Sequence, residues 1–242
     1  MQATSDIAAS RALDRLFMAL AEELKAPLMR IARQTELLAS SSEHPPESLR
    51  GVQMNADMTL QLLDSYLLSL HLTHEPDALF AVQPVSVGAV LHEACGRLVN
   101  VAREYDVALE LSIGGRYEPV MANARALTTA LVSLGYSLIE ALPGMGTEQL
   151  RLQLAAHRTK YGIVAGMYCD AENLTPQTFR QAQNMHGHTR QPFVGVLPSS
   201  GAGVFVADAI LGAMSSRLRV GRYQKLPGFA VTLLSSQQLQ LV

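Results

Sequence analysis

Apolar side chains recur at three- and four-residue steps through the first part of the chain: Leu13, Leu16, Leu20, Leu24, Leu28, Ile31 and Leu38, with Asp14, Arg15, Glu23, Lys25, Arg30 and Arg33 between them. That period predicts one long amphipathic helix from Ser5 to about Leu38. The stretch Ser40-Ser-Ser-Glu-His-Pro-Pro46 interrupts it, because Pro45 and Pro46 cannot continue a helix interior. A second run, Leu49, Val52, Ala56, Leu60, Leu63, Leu67 and Leu70, reaches a further breaker at Glu75-Pro76. Two antiparallel helices follow from so short a connection. A stripe this long and leucine-rich leaves apolar surface on an isolated hairpin, and a two-fold four-helix bundle buries it, so a homodimer is expected. Packing of the same stripe on the rest of the chain is the alternative.

Beyond residue 80 short β-like runs alternate with helices. Strands are expected over Val82–Val87, Val107–Ile113, Leu150–Ala156, Ile163–Cys169, Leu218–Val220 and Phe229–Leu234. Helices are expected over Gly88–Tyr105, Ala124–Leu142, Thr175–Asn184 and Gly203–Ser215. The class is α+β, a mixed sheet with helices on one face, and the division falls at 1–78 for the hairpin and 79–242 for the α/β part.

Composition narrows the function. The 242 residues are 48% apolar, enough for a sizeable core, and only 17% charged with a net charge of −2. Nothing in that overall balance points to nucleic acid. Residues Met1 to Ser10 have the pattern of no signal peptide, and no apolar run approaches the roughly 20 residues of a membrane span, so a cytoplasmic protein without membrane insertion is expected. Cys95 and Cys169 lie in apolar surroundings, far apart in sequence, and read as two buried, reduced thiols. His71 and His74 share a helix face at i, i+3, where they could bind a metal or accept a phosphoryl group, but no carboxylate apart from Glu75 is suitably placed and they read as exposed helix-end histidines; His186-Gly-His188 forms a second pair. No metal is expected. Ser199 and Ser200 lack the surroundings of a hydrolase nucleophile.

Four segments, in order, resemble the catalytic core of bacterial sensor histidine kinases, a dimerisation hairpin followed by a GHKL-type ATPase domain. Ala21-Glu-Glu-Leu-Lys-Ala-Pro-Leu28 is similar to the phosphoacceptor motif Ser-His-Glu-Leu-Arg-Thr-Pro-Leu. Gln83-Pro-Val-Ser-Val-Gly-Ala-Val-Leu-His-Glu-Ala94 is similar to the segment that opens the ATPase domain. Ala122-Asn-Ala-Arg-Ala-Leu-Thr-Thr-Ala-Leu131 resembles the entry to the helix that carries the family's asparagines. Ser199-Ser-Gly-Ala-Gly-Val204, with Ser215-Ser-Arg-Leu218 downstream, resembles the glycine-rich Gly-Thr-Gly-Leu-Gly-Leu segment and its sequel. The resemblance runs from residue 13 to 235. It implies a helical hairpin joined to a histidine-kinase-like α/β sandwich.

What the resemblance implies about chemistry is mostly loss. Glu22 stands where the family has its nucleophilic histidine, so Glu23, matching the acid that accepts the imidazole proton, has no partner, and Ala26 replaces the residue that orients water for dephosphorylation. Ser133 and Ser137 stand at the two asparagine positions that hold Mg²⁺, and serine is the shorter and weaker ligand. The adenine-reading Asp-x-Gly-x-Gly segment aligns with Cys169-Asp-Ala-Glu-Asn173, where Asp170 fits only with a one-residue shift and neither glycine is present. Gly201 and Gly203 are what remains of the last glycine-rich turn, which in the family cradles phosphate. Losing an adenine hydrogen bond and a metal ligand at roughly 1.5–3 kcal/mol each moves a micromolar nucleotide site to about millimolar. No cofactor is expected, beyond weak ATP binding. The resulting expectation is a non-catalytic pseudokinase, a two-component signalling protein that contacts a response regulator or a kinase through the hairpin face around Glu22, Glu23, Lys25 and Arg30. The alternative is an enzyme, a histidine phosphotransferase with a non-standard acceptor.

Overall fold

The computed structural model describes residues 24, 28–31, 33–38, 46–74, 81–145, 150–171, 173–186 and 201–236. Residues 28–31 and 33–38 are helical (α1), and α2 spans Pro46–His74. Pro46 opens α2 without cost because the first turn needs no N–H partner. The two helices approach closely: Asn55 Nδ2 donates to Gln34 Oε1 at 2.9 Å, and a Cβ on Gly51 would lie 2.8 Å from Gln34 Nε2.

After the hairpin come β1 (Gln83–Val85), α3 (Val87–Glu104), β2 (Ala108–Ile113), β3 (Val120–Ala122) and α4 (Ala124–Ala141). They are followed by β4 (Arg151–Thr159), β5 (Gly162–Cys169), α5 (Pro176–Met185), α6 (Ala202–Ala213), β6 (Leu218–Tyr223) and β7 (Leu226–Leu233). Polar caps fix the helix starts: Ser86 Oγ accepts from Ala89 N at 3.3 Å, Asn123 Oδ1 from Ala126 N at 3.0 Å, and Thr175 forms a capping box with Thr178 ahead of Pro176. The strand β3 was not expected; at three residues it is too short to show a period, and it pairs with β1 in a small two-stranded sheet. The main sheet has the order β2-β4-β5-β7-β6, with β2 parallel to β4 and every other pair antiparallel.

One face of that sheet, with Leu111, Leu154, Met167, Phe229 and Val231, packs on Leu91, Leu98, Leu127, Leu134 and Ile210 from α3, α4 and α6. The contact is tight where glycine permits it, since a Cβ on Gly135 of α4 would overlap Leu98 of α3. The opposite face is coiled. Tyr223 on β6 reaches back to Ser112 on β2, Oη to Oγ 2.9 Å, its ring stacked on His157 and tilted against Tyr168. Ala155, Tyr168 and Ala230 are buried beneath it as a second small core. Burial pushes the Tyr168 hydroxyl up to about 12.

Candidate functional site

On α4, Ser133 and Ser137 are one turn apart and share a face, and both are buried. That face meets the start of α6. A Cβ on Gly203 would overlap the Ser133 carbonyl oxygen and lie 2.6 Å from Ser137 Oγ, so the two helices are in backbone contact at the point where the resemblance places Mg²⁺ and phosphate. The Ser133 hydroxyl is also engaged: it donates to Ser65 Oγ of α2 at 2.8 Å, and Ser65 donates to the Gln61 carbonyl at 2.7 Å. Tyr66, the next residue of α2, is fully buried in the main core. The second hairpin helix therefore closes the side of α4 that the α6 contact leaves.

At the N-terminus of α6, Gly201 has φ 66°, a left-handed conformation that glycine adopts without strain, and no side chain caps the helix there. Its carbonyl accepts from Val204 N at 3.0 Å. Farther along, Gln183 Nε2 on α5 donates to Asp208 Oδ2 at 2.6 Å, and the His186 ring stacks on Phe205 at 3.9 Å between centroids. Burial holds the Asp208 carboxyl above its ordinary range, an effect offset in part by Gln183, the Leu218 N–H and the Arg217 charge.

Cys169 ends β5 on the helix side and is buried; burial and, secondarily, the Asp170 charge push its thiol up to about 12. Asp170 itself is exposed. The shifted alignment thus sets a thiol in the core and the carboxylate in solvent, the reverse of a buried adenine reader. Cys95, expected to be buried, is half-buried.

Arg30, expected on the partner-docking face, is partly exposed and is also tied to the α/β part. Its Nη1 donates to Glu140 Oε1 and to Tyr105 Oη, both at 3.0 Å, joining α1 to α4 and to the end of α3. Glu22, Glu23, Lys25, Ala26 and His188 lie outside the described residues, as do the side chains of His71 and His74. Among the described residues no group of three or more His, Cys, Asp or Glu is placed to hold a metal ion, and no helix is long and apolar enough to cross a membrane.

Sequence reasoning missed Ser65, Tyr66 and Glu140. Ser65 lies off the leucine stripe and gives no periodic signal, while Tyr66, three residues after Leu63 and four before Leu70, borders the stripe and was not read as part of it.

The hairpin's leucine stripe lies on another side. Leu28 is 51% exposed, Leu60 59% and Leu67 48%. Ser65 and Tyr66, not these leucines, make the contact with the α/β part.

No sequence-family model matches the chain, and no curated protein matches it. Solved structures do. The histidine kinase AdeS of Acinetobacter baumannii matches over 89% of this chain and 98% of that one, at 12% identity and a TM-score of 0.57. Histidine kinase ThkA in complex with the response regulator protein TrrA matches over 90% of this chain and 60% of that one, at 10% identity and a TM-score of 0.55. Full-length ShkA in complex with AMPPNP matches over 91% and 46%, at 14% identity and a TM-score of 0.53. The chain has the fold of a histidine-kinase catalytic core, a hairpin followed by an ATPase-like α/β sandwich.

Proposed function

We infer that this is a histidine-kinase-like signalling protein that works by contact and not by phosphoryl transfer. The observation that carries this reading is the closed α4–α6 groove, where Gly203 abuts Ser133 and Ser137 and the Ser133 hydroxyl is bonded to Ser65. A triphosphate with its metal needs open space lined by free donors at that point, and the close approach of Gly203 to Ser133 together with the Ser133–Ser65 hydrogen bond supports a site without them. Glu22 at the acceptor position supports the same conclusion from the hairpin side.

Contact with other macromolecules has a physical basis in the hairpin. Leu28, Leu60 and Leu67 are each about half exposed on the hairpin, and a second copy completing a four-helix bundle would cover them. The complex of ThkA with a response regulator supports a receiver domain as the further partner, docking on the hairpin of this chain near Glu22, Glu23 and Lys25. Arg30 contributes there only by giving up Glu140.

The test is incubation with radiolabelled ATP and Mg²⁺, alone and then with an active histidine kinase and its regulator. The expected result is no acid-labile phosphate on this chain in either mixture, together with co-sedimentation of chain and regulator. Phosphate on the chain in the first mixture would establish an autokinase, and in the second a phosphotransferase.

A further inference from the structure

The net charge of −2 conceals a division along the chain. From residue 150 onward there are nine Lys and Arg against three Asp and Glu, and before it ten against eighteen. After Asp208 the sequence contains no acid, while Arg217, Arg219, Arg222 and Lys225 fall within nine residues. All four are exposed. Arg217 lies close enough to Asp208 to lower that carboxyl's pKa, and the other three stand in none of the ion pairs among the described residues.

These cations sit on a strand with a free side. β6 ends the sheet order and, among the described residues, pairs only with β7, so beyond Leu218, whose N–H donates to Asp208, alternate N–H and C=O groups up to Tyr223 point outward without a ladder partner. The turn that follows is strained for what it carries. Tyr223 pairs with Leu226, leaving Gln224 at φ 47° and Lys225 at φ 74°, two left-handed positions in a two-residue hairpin turn where glycine or asparagine is the easy choice. A lysine is held there in spite of the strain. The hairpin tip is also anchored, through the Tyr223 hydroxyl on Ser112 and its ring on His157. The surface is therefore preformed.

We propose that the outer edge of β6, with Arg219, Arg222 and Lys225, is a docking site for an acidic, extended polypeptide segment that adds to the sheet as a sixth strand. Cations alone would suit any polyanion. The unpaired backbone edge is what selects a peptide, since only another main chain can complete the ladder. Arg219 and Arg222 project to opposite sheet faces, so a segment with acidic residues on both of its faces meets both. The same charges repel the β6 edge of another copy, which prevents self-pairing and leaves an acidic strand as the accepted partner. This site is independent of the hairpin and of nucleotide binding.

Fluorescence anisotropy with a labelled twelve-residue peptide of repeating Glu-Glu-Val-Val, which as a strand carries Glu on both faces, tests the proposal at low salt. Its controls are a peptide of the same charge with Pro at alternate positions, and a single-stranded DNA of equal length. The Glu-Val peptide should bind at least tenfold more tightly than the Pro peptide, and the amides of β6 should gain protection from hydrogen exchange when it binds. The triple variant Arg219→Glu, Arg222→Glu, Lys225→Glu should lose at least tenfold in affinity. The milder Arg219→Gln, Lys225→Gln protein, with an unchanged melting temperature, should lose part of it. Equal binding of the Pro peptide or of the DNA would show an unspecific cationic surface and overturn strand addition. Unchanged binding by the folded double variant would overturn the site.

Discussion

The groove between α4 and α6 and the outer face of the hairpin have exchanged the surfaces expected of them. In the groove, where the resemblance places ligand chemistry, Ser133 and Ser137 are buried and Gly203 brings two backbones together. On the hairpin, where leucines at helical spacing promise a core, Leu28, Leu60 and Leu67 stay half exposed or more. The difference teaches that small residues at a position where the resemblance places a ligand are not simply vacant. Here Gly203 lets α6 approach α4 at backbone distance, and Ser133 and Ser137 pack in that contact. Exposed leucine in a stripe, by contrast, is surface that the described residues do not cover.

The largest expected effect breaks the first half of that contrast. Gly203→Val forces side-chain atoms into the Ser133 carbonyl, and overpacking of this kind costs about 3 kcal/mol or more. Urea denaturation reads it, and a variant as stable as the wild type would mean that α4 and α6 do not meet. Tyr66→Ala removes a fully buried ring from the joint between hairpin and sandwich, with a loss of about 3–5 kcal/mol expected. A loss below about 1 kcal/mol would show that the hairpin does not dock there.

The second half is sharpened by Leu60→Asp with Leu67→Asp. Both side chains are exposed, so the folded chain should change by about 0.5 kcal/mol or less, while sedimentation should shift from dimer to monomer. A wild type that sediments as a monomer at micromolar concentration would remove the dimer.

The smallest effect concerns Asp208, which ties α5 to the helix that closes the groove. Its carboxyl is held above the ordinary aspartate range when folded, so the folded state favours the protonated form. Stability is greatest below that range and declines as pH rises through it to the folded value. Asp208→Asn should flatten this slope in thermal melts taken across acidic pH, and an unchanged slope would assign it to other groups.

Much of the architecture was legible in the sequence because it depends on period. The helix Val87–Glu104 and the strand Gly162–Cys169 fall within one residue of the expected bounds, since each has a regular apolar face and a capped or turn-bounded start. The strand β3 and the extension of β4 to Thr159 were not; three residues show no alternation, and His157, Arg158 and Thr159 are polar enough to look like a loop. At the candidate site the sequence showed which residues differ from the motifs it resembles, Ser133, Ser137 and Cys169 among them, but not how they pack. Whether a serine is a poor metal ligand in an open pocket or a packing residue in a closed one depends on Ser65 and Gly203, which lie 68 and 70 positions away from Ser133 in opposite directions. Nor did the sequence show Arg30 paired with Glu140, because the ion pair spans 110 positions.

The most direct measurement is isothermal titration of MgATP into the wild-type protein. A groove closed by Gly203, Ser133, Ser137 and Ser65 should give no saturable heat up to millimolar nucleotide. Saturable binding with a dissociation constant below about 10 µM, equivalent to nearly 7 kcal/mol, would contradict the closed groove and the contact-based function built on it.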